Sequence, residues 1–185
     1  MSRNPDFSSE LISHLREHAV RTDGPFTLRS GAVSDWYLDA RQTTFSGRGA
    51  RLVGEVLLAH IDERSRAVGG LTMGADPLAM ATAIAADVHG RALAAFSIRK
   101  QAKSHGTGGR LVGPVAPGTP VTILEDTTST GGAMVEAIEV AQESGLNIVH
   151  AVALIDRSGG VATELMARLG IDYRAVITPA DLGVE

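Results

Sequence analysis

Val121-Thr122-Ile123-Leu124-Glu125-Asp126-Thr127-Thr128-Ser129-Thr130-Gly131-Gly132 is an apolar run that ends in two adjacent carboxylates, then passes through four hydroxyl residues into paired glycines. A continuous apolar run this short, here Pro120 to Glu125, fits a strand buried on both faces. The residues after it predict a helix over Gly132 to Ser144, because Met134, Ile138 and Ala141 fall on one face while Glu136, Glu139 and Glu143 fall outward.

The same alternation continues in both directions. Toward the C-terminus, Asn147 to Ile155, Val161 to Leu169 and Asp172 to Val176 read as strand, helix and strand. Toward the N-terminus, Ala67 to Met73 reads as a strand, Pro77 to Val88 as a helix with proline in its first turn, and Ala92 to Ile98 as another strand. Such a series predicts a doubly wound α/β fold, a largely parallel sheet covered by helices on both faces. Earlier still, Phe7 to Val20 has helical spacing, Phe26 to Asp39 looks extended around a Ser30-Gly31 turn, and a second helix is expected over about Arg48 to Ser65. The whole chain, 1–185, is read as one domain: an N-terminal helix and hairpin hood over about 1–45 and an α/β core over about 46–185.

Composition narrows the chemistry. The chain has 185 residues, 44% apolar and 21% charged, enough to bury a core without metal or disulfide staples. With no cysteine, a disulfide framework, a thiolate zinc site and a cysteine nucleophile are all excluded, and a reducing cytoplasm is compatible. Met1 to Glu10 does not read as a signal peptide, and the longest quasi-apolar stretch, Leu78 to Val88, is broken by Thr82 and Asp87. A formal net charge of −4 gives no global field for nucleic acid. Yet Ser97 to Arg110 carries Arg99, Lys100, Lys103 and Arg110 without an acid, which points to a small, highly anionic ligand.

In a doubly wound sheet, ligands bind beyond the carboxyl ends of the strands, so the turns there carry the chemistry. Unpaired N–H groups at a helix start sit at the positive end of the helix dipole, so Thr127 to Gly132 can cradle a phosphate, aided by hydroxyls. Glu125 and Asp126, just before that cradle, can accept hydrogen bonds from sugar hydroxyls. The plainer alternative is that these threonines only cap a helix and that the acids are exposed. No lysine follows the glycines at Walker spacing, which argues against nucleoside triphosphate hydrolysis.

Taken together, the apolar strand, paired acids, four hydroxyl residues and two glycines resemble the phosphoribosyl pyrophosphate (PRPP) signature of type I phosphoribosyltransferases. The resemblance implies PRPP contacts from Glu125, Asp126, Thr127, Thr128, Ser129, Thr130, Gly131, Gly132 and Ala133. Arg99, Lys100, Lys103 and His105, followed by glycines at 106, 108 and 109, resemble the mobile catalytic loop of orotate phosphoribosyltransferases. In that family the loop covers the neighbouring subunit's site in a homodimer. By resemblance, these four residues are the catalytic set and also bind PRPP or pyrophosphate. On physical grounds, a cationic loop closing over a diphosphate stabilises the leaving charge and excludes water. His105 taken alone reads as a surface histidine.

Two further segments agree with the family. Phe26 to Gly31 and Ser34 to Asp39 resemble its N-terminal hairpin, which places Arg29, Tyr37 and Leu38 at the orotate; Trp36 reads equally well as a core aromatic. Arg157 ends a strand, and arginine matches a carboxylate bidentately, so Arg157 with Ser129 is the expected holder of the orotate carboxylate; the alternative is a salt bridge to Asp156. Arg29 stands where the family has lysine, Glu125 where it has aspartate and Ser129 where it has threonine. The family's lysine in the turn after the first sheet strand has no counterpart in Gly70 to Asp76, which leaves the backbone amides of Thr72, Met73, Gly74 and Ala75 to meet pyrophosphate. Mg2+ is expected as cofactor, held mainly by PRPP oxygens rather than by protein ligands. Two rival readings are a phosphoribosyltransferase for another base and a PRPP-binding regulator without turnover.

Overall fold

A computed structural model describes residues 6–27, 31, 33–101 and 109–184. Helix α1 (Phe7–His18) starts at Asp6, whose carboxylate accepts from the Ser9 amide at 3.1 Å. It buries Leu11 and Leu15 completely, each contributing about 1.5–3 kcal/mol of apolar burial. The hood follows as two small antiparallel pairs: β1 (Val20–Arg21) with β4 (Tyr37–Leu38), and β2 (Phe26–Thr27) with β3 (Val33–Ser34). The expected hairpin is thus present at both ends, while Arg29 and the turn residue Ser30 lie outside the described residues. A single turn, α2 (Arg41–Thr44), leads into α3 (Gly47–Leu58), which Ser46 caps at the Gly49 amide.

Helix α3 is shorter than the expected Arg48 to Ser65. After Leu58 the His60 and Ile61 amides bond to the carbonyls of Leu57 and Leu58, three residues back, and Asp62 then accepts from the Arg64 amide at 2.8 Å. Ile61 and Ser65 are buried within this turn, so an apolar spacing continues through backbone that is no longer helical.

The core elements are β5 (Ala67–Leu71), α4 (Ala75–Val88), β6 (Ala94–Ile98), β7 (Leu111–Val112), β8 (Pro120–Thr128), α5 (Gly132–Glu143), β9 (Asn147–Asp156), α6 (Val161–Arg168), β10 (Tyr173–Ile177) and α7 (Pro179–Leu182). Six strands form one sheet in the order β10-β9-β8-β5-β6-β7, parallel except for β7. The period-2 alternation of a strand sends Ala151 and Ala153 of β9 to one face with α5 and α6, and Val152 and Leu154 to the other with α1, α3 and α4. Both faces are covered, so the fold is the doubly wound α/β sheet that the sequence predicts. From β5 the chain crosses to β6 on one side and returns to β8 on the other. This reversal opens a crevice at the carboxyl ends of β5 and β8.

Candidate active site

A cleft of about 300 Å3 occupies that crevice. Its floor is Leu71 to Ala75 after β5, together with Leu124, Glu125 and Asp126 of β8 and Ala133 of α5. Lys100, just past β6, and Arg41 of α2 reach it from two other directions. The acidic strand end and the start of the cationic segment therefore meet in one place, as the sequence required. Lys103 and His105 lie outside the described residues.

The two acids are positioned by β8 itself. The strand continues to Thr128, with Thr127 opposite Ile155 and Thr128 opposite Asp156, so Thr127 and Thr128 belong to the sheet and not to the turn. Thr128 is buried and donates its hydroxyl to Glu125, which removes it from the set of hydroxyls free to meet a phosphate. Burial, only partly offset by that bond and reinforced by nearby Asp126 and Asp156, pushes the Glu125 carboxyl up to about 7. Burial also raises Asp126, opposed by the Thr127 amide on its Oδ1 at 2.8 Å and by the Arg41 guanidinium. A carboxyl poised near neutrality is suited to hydrogen bonding with sugar hydroxyls in either protonation state.

Beyond Thr128 the turn is short: Ser129 and Thr130 are exposed, and Gly131 takes φ +80 at the start of α5, a conformation that favours glycine. No side chain caps α5, and the Gly132 amide reaches only a long 3.4 Å contact with the Thr130 hydroxyl. The first amides of α5 are thus presented as an anion-binding helix start.

Across the cleft, Asp76 organises the turn after β5. It accepts from the hydroxyls of Thr72 and Ser97, each at 2.6 Å, tying that turn to β6. The Thr72 amide is committed to the Ile98 carbonyl at 2.8 Å, which corrects the expectation that it serves a ligand; the Met73, Gly74 and Ala75 amides remain. The Thr72–Met73 peptide is cis. A Cβ on Gly74 would lie 2.5 Å from Asp126 Oδ1, so glycine lets the turn and the acid approach each other.

Arg99 is half-buried, and its amide and carbonyl are bonded to the carbonyl and guanidinium of Arg110. Arg110 also pairs with Glu136 of α5, so it anchors the base of the cationic segment rather than facing a ligand. Arg157 avoids the salt bridge considered above. Asp156 instead accepts from the Ser158 amide at 2.7 Å and the Tyr173 hydroxyl at 2.9 Å. The Arg157 guanidinium lies 4.4 Å over the Trp36 ring, and its buried Nε has no hydrogen-bond partner among the described residues. Burial lowers its pKa. Tyr37 of the hood is partly exposed and packs 5.8 Å from Phe26, while Leu38 is buried. Two residues of the site were not foreseen, Arg41 and Asp76. The sequence hints at them only through local spacing, Asp39 two before Arg41 and Thr72 four before Asp76.

By fold and cleft, the chain is a type I phosphoribosyltransferase. No protein-family model matches it. A Streptomyces avermitilis protein named orotate phosphoribosyltransferase is 41% identical over 181 residues, spanning 97% of this chain and 99% of its own length. The chain belongs to the orotate phosphoribosyltransferase family. Two crystal structures of the Mycobacterium tuberculosis orotate phosphoribosyltransferase, each covering 97% of this chain and 100% of its own, superpose closely. The complex with Fe(III) dicitrate gives a TM-score of 0.84 at 38% identity, and the complex with PRPP gives 0.79 at 33%.

Proposed function

We propose that the chain transfers the 5-phosphoribosyl group of PRPP to orotate, giving orotidine 5′-phosphate and pyrophosphate, the pentosyl transfer of de novo pyrimidine (UMP) biosynthesis. The observation that carries this reading is the meeting of Lys100, Glu125 and Asp126 in one cleft at the sheet's reversal point, in a chain of this family. The relative from Mycobacterium tuberculosis has been solved with PRPP.

In the reaction, an orotate ring nitrogen forms a bond to the anomeric carbon while the bond from that carbon to the diphosphate oxygen breaks. Its electron pair leaves with pyrophosphate. The reacting N–H of orotate is acidified by the adjacent C2 carbonyl and, through the ring double bond, by the C4 carbonyl, and its proton leaves to solvent or to the departing pyrophosphate, so no dedicated protein base is needed; positioning and charge stabilisation supply the catalysis. Glu125 and Asp126 hold the ribose hydroxyls. The α5 start, with Ser129 and Thr130, holds the 5′-phosphate. Lys100, with Arg99, Lys103 and His105, meets the diphosphate. Arg157, its Nε without a partner among the described residues and its guanidinium over the Trp36 ring, receives the orotate carboxylate, with Ser129, Tyr37, Leu38 and Arg29 as the further orotate residues.

Among the described residues no group of three or more His, Asp or Glu is arranged to hold a metal. The donor set fits Mg2+ carried on substrate oxygens, with Glu125 and Asp126 the carboxylates within the cleft. When bound, Mg2+ neutralises diphosphate charge.

A homodimer and a cytoplasmic setting complete the proposal. Met80, Ile84 and Val88, four residues apart on α4, are more than half exposed. Met80 also shares a groove with Val112 of β7. Such an apolar row suits a second copy of the chain. Among the described residues no helix is long and apolar enough to cross a membrane.

The test is orotate ultraviolet absorbance after adding PRPP and Mg2+, beside uracil, adenine and hypoxanthine controls. Consumption of orotate alone is expected; PRPP binding with no base consumed would refute the transfer.

A further inference from the structure

We infer that Arg41 is a diphosphate-binding residue, supplying from the hood the positive charge that the turn after β5 lacks. This rests on the reaction proposed above. Gly70 to Asp76 contains no cation, yet the Met73 and Gly74 part of that turn shares the cleft with Arg41. Lys100 is the other cation lining the cleft among the described residues, and it enters from the β6 side.

Arg41 is held for such a role. Asp39 Oδ1 accepts from both its amide, at 3.2 Å, and its Nε, at 2.8 Å, while Asp39 Oδ2 accepts from the Gln42 side chain at 3.2 Å. One edge of the guanidinium is thereby fixed. Its two terminal nitrogens make no hydrogen bond among the described residues, and the side chain is 52% exposed. A second cleft, lined by Asp39, Arg41, Gln42, Phe45, Ser46 and Met73, opens beside the first, so Arg41 stands at the rim where the two join. The guanidinium also favours the ionised form of Asp126, placing it within electrostatic reach of the sugar site.

A planar fork oriented by a carboxylate and open at its terminal nitrogens suits the oxygens of a phosphate group. Of PRPP's anionic groups the diphosphate is the one that belongs here. The 5′-phosphate has its own cradle at the start of α5, whereas Arg41 lies with the turn after β5. As the diphosphate departs its charge grows, so the contact strengthens along the reaction.

The experiment compares wild type, Arg41→Gln and Arg41→Lys by calorimetric binding of pyrophosphate, PRPP with Mg2+, and orotidine 5′-phosphate, which lacks a diphosphate. Arg41→Gln is expected to weaken pyrophosphate and PRPP by about tenfold or more while leaving orotidine 5′-phosphate within about twofold. Arg41→Lys recovers part of the loss, since it restores charge without the fork. Pyrophosphate affinity unchanged in Arg41→Gln, or an equal loss for all three ligands, overturns the assignment; the latter would mark a purely structural residue. A wild type that binds PRPP and pyrophosphate but consumes no orotate refutes the reaction instead, and Arg41 is still judged by the same affinities. A wild type that binds neither overturns both.

Discussion

Replacing Glu125 with glutamine tests the buried carboxyl at the heart of the cleft. In the folded chain its pKa is about 7, against 4.5 for an exposed glutamate, and the cause is burial. A group whose folded pKa is raised holds its proton in the native state after the unfolded chain has released it, so stability falls with pH between 4.5 and about 7 and then levels off. A difference of about 2.5 units corresponds to roughly 3 kcal/mol at full effect. Glutamine is neutral throughout and keeps an oxygen to accept from the Thr128 hydroxyl. Urea unfolding of both proteins at pH 5 and pH 8.5 should therefore show Glu125→Gln gaining about 2–3 kcal/mol on the wild type between the two. That gain shifts the midpoint by about 1 M for an m-value near 2 kcal/mol/M. The difference between the two proteins cancels titrations they share, Asp126 included. Parallel loss of stability by both would refute the claim that Glu125 is buried protonated. The same substitution should also flatten the pH dependence of PRPP affinity below pH 7.

Three further outcomes are expected. Lys103→Ala should lower turnover at least tenfold with unchanged far-ultraviolet dichroism and thermal midpoint; equal losses of helicity and rate would count against its role at the diphosphate. Arg157→Met should raise the KM for orotate by about tenfold or more with no loss in urea stability, because it removes a half-buried guanidinium whose buried Nε has no partner among the described residues. Trp36, the only tryptophan, reports on it: orotate should change the fluorescence of the wild type, and the Arg157→Met variant should need about tenfold more orotate for a comparable change. Ile84→Asp should shift light-scattering mass from dimer to monomer, and an unchanged mass would remove α4 from the subunit contact.

From Ala67 onward most of the fold could be read from sequence because β8 and β9 are apolar runs buried for most of their length and α5 and α6 carry charge on one side, so apolar runs and helical periodicity separate cleanly there. Elements made by tertiary contact escaped. The two residues of β7 carry no periodicity, and the single turn of α2 exists because Asp39 holds its first residue. The end of α3 was misplaced because Ile61 is buried after the helix has stopped. At the site, the acids, the helix start and Arg157 were legible because they lie near or just beyond strand ends in the chain. Arg41 was not, since only the folding of the hood brings α2 to the strand ends. Nor could the sequence tell that Arg110 turns away to Glu136 or that Thr128 turns inward to Glu125, because each depends on a neighbour's register.

Gly69 and Gly70 make the middle strand of the sheet nearly bare. A methyl group at Gly69 would strike the carbonyl and ring of Phe96, and one at Gly70 the carbonyl of Leu124 and the methyl of Ala75. This stretch of β5, just before the turn that floors the cleft, is therefore close to unalterable: there is no side chain to exchange and no room to add one. Any redesign toward a different acceptor falls instead to residues proposed for the orotate, Tyr37 and Arg157, and leaves the close packing of β5 against β6 and β8 as it is.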